Sequence, residues 1–290
     1  MTRLTLDAFH ATPDAQGSEA RVRAVVEAAL ADPTRRLRFL SAYTAWNGLF
    51  GAGVATLAGK IARARGVFVD PGERVRAIAD RSVLVASWFF DAARDEFDDR
   101  GTDHRDTHRC LAQALLKGVV LYHRAHGPDA LRATFDDDVA LDALLAEPAW
   151  LAGLNAEVAR GYGLDTPDDA ASLFRAMGYH LGSELLADEE FTAIDVALEA
   201  QDRALVEFLR RTKVDLAGAR HTPYHWLRTH SSRGGSVEAD HFDWAMQGVR
   251  AALQYVPPEA HAALEARVLE GFADFAETHR RFFEHAAALG

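Results

Sequence analysis

Cysteine is almost absent from this chain, which contains only one among its 290 residues. A single cysteine excludes an intramolecular disulfide framework and a zinc site built from several thiolates. Chains without disulfides are typical of reducing compartments, and the first residues lack the apolar core of a signal peptide. We therefore expect a cytoplasmic location.

Long hydrophobic runs and an excess of basic residues are also lacking. The most apolar short run, residues 83–90, falls far short of the roughly 20 residues that a membrane helix needs. Lys and Arg number 32 against 43 Asp and Glu, which gives a net charge of −11. Because nucleic-acid binding needs a basic face, we expect a protein that binds neither membranes nor nucleic acid.

Sequence signatures of nucleotide binding and of serine hydrolases are missing as well. The chain has no Gly-x-Gly-x-x-Gly after a strand, no phosphate loop with Gly-Lys-Ser/Thr, and no Gly-x-Ser-x-Gly elbow. The alternation of β-branched and polar residues that is typical of strands is nearly absent, and proline occurs only nine times.

Helical periodicity runs through the whole sequence. We predict an all-α protein, a single helical bundle of about nine or ten helices in one domain that covers residues 1–290. Residues 1–34 would form an N-terminal extension, 35–255 a metal-binding core, and 257–287 a C-terminal helix. The predicted segments that matter below are helices over residues 35–64, 71–98, 167–187 and 189–212, and a loop over 213–221.

Glu238 and His241 are the first of several carboxylate and histidine pairs. The spacing Glu-x-x-His places both side chains on one face of a helix, about one turn apart. Helical bundles that bind two iron or manganese ions use this spacing, because one carboxylate and one imidazole can then converge on a metal. The alternative is a solvated glutamate beside a surface histidine.

Glu96 and His108 stand on either side of an acidic turn. Two antiparallel helices joined by a short turn would bring the end of one beside the start of the next. Glu96 and His108 could then meet across the hairpin, and His104 is an alternative to His108. The competing interpretation is a solvated acidic turn.

Glu184 lies in an otherwise strongly apolar helix, with His180 one turn before it on the same face. A carboxylate at such a position needs a partner or a metal, because burying an unpaired charge is unfavourable. His230 would join Glu238 and His241 within about 80° of one another on an unbroken helix, although two glycines interrupt that segment. Oxygen and imidazole ligands without thiolate suit iron or manganese.

The order of these residues resembles the haem-oxygenase-like diiron oxidases and oxygenases, relatives of thiaminase II and pyrroloquinoline quinone synthase. Glu96 and His108 are similar to the family's first Glu and His, and the Gly-Ser-Glu-Leu segment around Glu184 is similar to its central Glu segment. Glu238 and His241 resemble the closing Asp-x-x-His, with Glu in place of Asp.

One position departs from the family's pattern. The closing motif has a further His four residues before the Asp, and this chain has Gly234 there, with His230 one turn earlier. The resemblance covers residues 35–255. Whether the chain would bind one metal ion or two stays open at this point.

The resemblance implies a seven-helix core and a non-haem iron-dependent oxidoreductase, with two Fe(II) ions per chain or manganese in their place. Such a protein would use O2 on a small amino-acid-like or fatty-acid-like metabolite of specialised biosynthesis, and a homodimer is compatible with it. The alternatives are a metal-free helical enzyme or small-molecule binding protein of the same fold, and a helical scaffold with incidental histidines. The implied metal ligands are Glu96, His108, Glu184, His230, Glu238 and His241, and the residues implied to orient them are His180, Tyr179, Asp95 and His104.

Overall fold

A computed structural model describes residues 4–99, 106–233 and 237–289, and within these ranges every side chain except those of residues 130 and 237–240. The α-helices are α1 Leu6–His10, α2 Ser18–Leu30, α3 Pro33–Asn47, α4 Phe50–Arg63, α5 Arg76–Ala79, α6 Ser82–Phe97, α7 His108–His126, α8 Asp129–Asp136, α9 Asp138–Leu145, α10 Ala149–Gly161, α11 Ala170–Gln201, α12 Arg203–Arg211, α13 His225–His230, α14 Val237–Gln254 and α15 His261–Ala287. A 3₁₀ turn covers Pro258–Ala260, and the strands β1 Val214–Leu216 and β2 Ala219–His221 form one antiparallel hairpin.

The prediction of an all-α protein is confirmed, since one short hairpin is the only sheet in the described ranges. The predicted count of nine or ten helices is wrong, because the described residues form α1 to α15. None of the helices described is both long enough and apolar enough to cross a membrane.

The predicted helix over residues 35–64 is divided at Gly48, between α3 and α4. Arg109, from α7, donates to the carbonyl of Thr44, which also accepts from the backbone N–H of Gly48 at 3.2 Å. A Cβ atom at Gly48 would lie 2.9 Å from Arg109 Cδ, so the arginine side chain occupies the space of a normal side chain there. A residue 65 positions away thus packs against the break.

The predicted helix over residues 71–98 begins later, because Asp80 caps α6. The Asp80 carboxylate accepts hydrogen bonds from the backbone N–H of Ser82 at 3.0 Å and from its hydroxyl at 2.7 Å. These contacts satisfy a backbone donor at the start of the helix, as N-terminal capping residues do.

The two predicted helices over 167–187 and 189–212 are instead the single 32-residue helix α11, followed by α12. The interruption falls at Asp202, which caps α12 through Leu205 N at 3.0 Å and accepts from Arg36 at 2.7 Å. The predicted loop over 213–221 is a hairpin, whose turn has positive φ at Ala217 (52°) and Gly218 (81°), as type I′ turns require.

Helix α11 is the central element, and it packs against α15, α2 and α14. Its crossing with α15 is very close, since a Cβ at Gly178 would lie 1.9 Å from the Val268 carbonyl oxygen. A Cβ at Gly271 would likewise lie 1.8 Å from the Arg175 carbonyl oxygen. Both glycines are therefore needed for this contact, and helices α2 and α15, at the two ends of the chain, contribute to the core around α11.

Candidate metal centre

Five of the six predicted metal ligands have described side chains, and the structure brings all five to one buried region. Glu96 lies in the last turn of α6, His108 begins α7, and Glu184 lies in the middle of α11. His230 ends α13 and His241 lies in the first turns of α14. The side chain of Glu238 and the whole of His104 and Gly234 lie outside the described residues.

Imidazoles and carboxylates alternate along α11 and α14. His180 Nδ1 lies 3.2 Å from Glu184 Oε1, as expected for a pair one turn apart on the same helix. The second oxygen of Glu184, Oε2, lies 3.3 Å from His241 Nδ1. Glu184 is thus held between two histidines, and it is buried.

The alternation continues from α14 into α6 and α7. His241 Nε2 lies 3.1 Å from Asp95 Oδ2, and the same oxygen lies 3.9 Å from His108 Nε2. His108 Nδ1 lies 3.1 Å from Glu96 Oε2. We call the six residues of this series the acid–imidazole chain: His180, Glu184, His241, Asp95, His108 and Glu96.

His230 packs beside the acid–imidazole chain, with its ring edge-to-face against His108 and the ring centroids 4.5 Å apart. Its Nδ1 lies 2.8 Å from the carbonyl oxygen of Trp226. A carbonyl can only accept, so Nδ1 carries the proton and Nε2 bears the lone pair in the neutral ring. This tautomer is the one that a metal ligand bonded through Nε2 requires.

The pKa values of the histidines in this region shift in opposite directions, because their charged neighbours differ. Burial lowers the pKa of His230 to about 3, and the charge of His108 lowers it further. It also lowers the pKa of His180, against the opposing effect of Glu184. For His108, the carboxylates of Glu96 and Asp95 outweigh burial and raise the pKa to about 9. One imidazolium therefore partly balances the carboxylates when no metal is bound.

A cavity of about 30 Å³ adjoins this cluster, large enough for one or two water molecules. Glu96, His108, Glu184 and His230 contribute polar atoms to its wall. The remaining wall includes three aromatic residues, Phe50, Phe191 and Trp226, with Asn47 and Arg109 beside them.

The donor set suits a hard or borderline divalent cation, since it consists of carboxylate oxygens and imidazole nitrogens without thiolate. The four carboxylates of Asp95, Glu96, Asp99 and Glu184 crowd around histidines in a buried site, where uncompensated negative charge is unfavourable. In the described part of the chain, no three His, Cys, Asp or Glu side chains are arranged to hold a metal ion as they stand. The donors bond one another in pairs, so binding requires rotations that replace these contacts.

Sequence reasoning missed Asp99. Asp99 Oδ2 lies 3.8 Å from His108 Nε2, and its Oδ1 lies 3.6 Å from His225 Nε2. In the sequence Asp99 belongs to a run of acidic turn residues that suggests solvent exposure, and no signal separates it from its neighbours. The ring of Tyr179 lies 5.1 Å from that of Phe275 and 5.4 Å from that of Tyr162.

Tyr162 was also missed, although it contacts the site through a serine. Its hydroxyl lies 2.7 Å from Ser183 Oγ, and Ser183 Oγ lies 3.4 Å from His180 Nδ1. Gly53 makes room for this ring, since a Cβ there would lie 2.3 Å from Tyr162 Cδ2.

Comparison of the chain with models of protein families, with curated proteins and with solved structures finds no match. Function is therefore inferred from the chemistry of the site.

Proposed function

We propose that this protein is a non-haem iron-dependent oxidoreductase of the haem-oxygenase-like diiron type, which uses O2 on a small amino-acid-like or fatty-acid-like metabolite. The observation that supports the proposal most is the convergence of Glu96, His108, Glu184, His230 and His241 from five separate helices. A buried acid–imidazole cluster of this composition is typical of metal sites in helical bundles.

The ligands of the proposed site are the two glutamates and three histidines just named, with Glu238 as the sixth. Ferrous iron bound there would supply the centre at which O2 is reduced. The site would hold the carboxylates of Glu96, Glu184 and Glu238, with those of Asp95 and Asp99 beside them. So much negative charge favours two Fe(II) ions over one, with manganese as an alternative.

The protein's own groups fix the ligand histidines in orientation. Asp95 is positioned to accept a hydrogen bond from His241 Nε2, so that Nδ1, on the side of Glu184, would be the nitrogen that binds a metal. The Trp226 carbonyl does the same for His230 through Nδ1. The aromatic wall of Phe50, Phe191 and Trp226 limits the water that reaches the site.

The direct test is O2 consumption by the protein after anaerobic loading with Fe(II). We expect the loaded wild type to consume O2 faster than the same concentration of free Fe(II), and His241→Ala and Glu184→Ala to fall to the rate of the free ion. His10→Ala and Glu207→Ala, at exposed positions on α1 and α12, are the matched controls. A wild type that consumes O2 no faster than free Fe(II) would contradict the proposal.

A second candidate is favoured by the contacts among the donors as they stand. Imidazoles and carboxylates within 3.1–3.3 Å of one another can move protons without a metal, and such contacts run from His180 through Glu184 and His241 to Asp95 and join His108 to Glu96. In a metal-free enzyme or binding protein of this fold, removing iron with a chelator would leave activity or ligand binding unchanged. In the iron enzyme, the same treatment abolishes O2 consumption.

A further inference from the structure

A second cavity, of about 440 Å³, lies between α10, α11 and α15, and the proposed metal function does not account for it. Two ion pairs join the helices around it. Arg175 of α11 bonds Asp274 of α15 at 2.6 Å, and Arg281 of α15 bonds Glu157 of α10 at 2.6 Å. The volume is in the range of ordinary small-molecule sites, which measure roughly 300–1,000 Å³.

Two further charges line the cavity, one of each sign, and neither forms an ion pair within the described residues. They are Arg160 of α10 and Glu277 of α15. Glu277 acts on Arg280 through its charge, but Arg280 is bonded to Asp14 at 3.0 Å and to Glu284 at 2.5 Å. The cavity thus offers one guanidinium and one carboxylate that its own ion pairs do not use.

Tyr179 forms part of the wall and carries a buried polar atom. The residue is only 2% exposed, and its hydroxyl lies beside that of Thr278, another lining residue. The Thr278 hydroxyl donates to the Asp274 carbonyl at 2.8 Å. Gly161 is required beside the Tyr179 ring, because a Cβ there would lie 2.4 Å from it. This side of the cavity is therefore formed by a tyrosine ring and a threonine side chain that other residues hold in place.

We propose that this cavity binds a zwitterionic small molecule of amino-acid size, with its carboxylate on Arg160 and its ammonium group on Glu277. Arginine pairs with a carboxylate through two parallel hydrogen bonds, and a carboxylate accepts from an ammonium group. Opposite charges on facing helices select a ligand that carries both signs over one that carries a single charge. The proposal does not depend on iron binding at the acid–imidazole chain.

The test uses ligand-observed NMR on the full-length protein with the proteinogenic amino acids as probes. Each amino acid that binds is compared with its N-acetyl derivative, which lacks the cation, and with its amide, which lacks the carboxylate. We expect binding of the zwitterion and loss of binding for both derivatives. Arg160→Gln and Glu277→Gln should each weaken binding by about tenfold or more, as expected for a lost charge-assisted contact.

Arg203→Gln and Glu207→Gln serve as controls, since these residues form an exposed pair on α12 away from the cavity. Either of two results would overturn the proposal. One is the absence of binding of any amino acid at millimolar concentration. The other is equal binding, either of the acetylated or amidated derivatives compared with the free amino acid, or by the Arg160→Gln and Glu277→Gln variants compared with the wild type.

Discussion

Asp95 Oδ2 and His241 Nε2 lie 3.1 Å apart, although 146 positions of sequence separate the two residues. The contact joins the end of α6 to the start of α14, and it turns the other ring nitrogen of His241 toward Glu184 at 3.3 Å. Asp95 thus orients a proposed ligand without needing to touch the metal, and the same carboxylate oxygen faces His108 at 3.9 Å.

Asp95→Asn should weaken Fe(II) binding by about tenfold to a hundredfold, the usual effect of losing a carboxylate behind a ligand histidine. Asn keeps the size of the side chain but removes the charge that supports His241. The measurement is Fe(II) affinity by competition with a coloured chelator. Asp91→Asn, on the same helix and outside the cluster, is the control and should bind as the wild type does. Equal affinities for the Asp95 and Asp91 variants would show that Asp95 has no orienting role.

Gly271→Ala should destabilise the fold by about 1–3 kcal/mol, because overpacking a tight helix crossing forces the backbones apart. The new methyl group would lie 1.8 Å from the Arg175 carbonyl oxygen. Gly59→Ala in α4 is the matched control, since a Cβ there has nothing within 4 Å, and it should stabilise by about 0.5–1 kcal/mol. Urea unfolding measures both, and a neutral Gly271→Ala would mean that α11 and α15 are not in such close contact.

His123 should make stability depend on pH. Burial lowers the pKa of His123 from 6.5 to about 4, and the charge of Arg36 lowers it further. Between these two values the unfolded chain binds a proton that the folded protein does not, so the free energy of unfolding falls as the pH drops from about 6.5 to about 4. The loss from this one group is at most about 3 kcal/mol.

The variant that tests this is His123→Gln, which removes the titrating ring. Urea unfolding at several pH values should show a shallower acid loss for His123→Gln than for the wild type. His126→Gln, exposed on the same helix, provides the comparison. Parallel pH profiles for His123→Gln and the wild type would exclude a buried neutral His123.

The all-α class is predicted correctly from the sequence, because helical periodicity is a local pattern. Local patterns also single out Glu184, as a charge in an apolar helix, and Glu96 and His108, as residues on either side of a short turn. The tertiary contacts at helix ends have no such local signal. Arg109 bonds the Thr44 carbonyl beside the break between α3 and α4, and neither residue predicts that contact.

The burial of Asp99 could not be predicted from the sequence either, because the residues around it suggest the opposite. Acidic residues in a turn between helices are normally solvated, yet Asp99 is 4% exposed and faces two histidines. Its backbone N–H donates to the Asp106 carbonyl at 2.8 Å, which brings the two sides of the turn together. The burial of this carboxylate therefore goes with tertiary contacts, which the local sequence does not predict.

The iron content of the protein after anaerobic reconstitution tests the central claim most directly. The account predicts about two Fe(II) ions per chain, as in other helical-bundle carboxylate–histidine sites, and a lower content in both His241→Ala and Glu184→Ala. About one ion per chain would mean that the replacement of a histidine by Gly234 has removed one metal position. No bound iron in the wild type, with both variants folded and unchanged, would contradict the metal site.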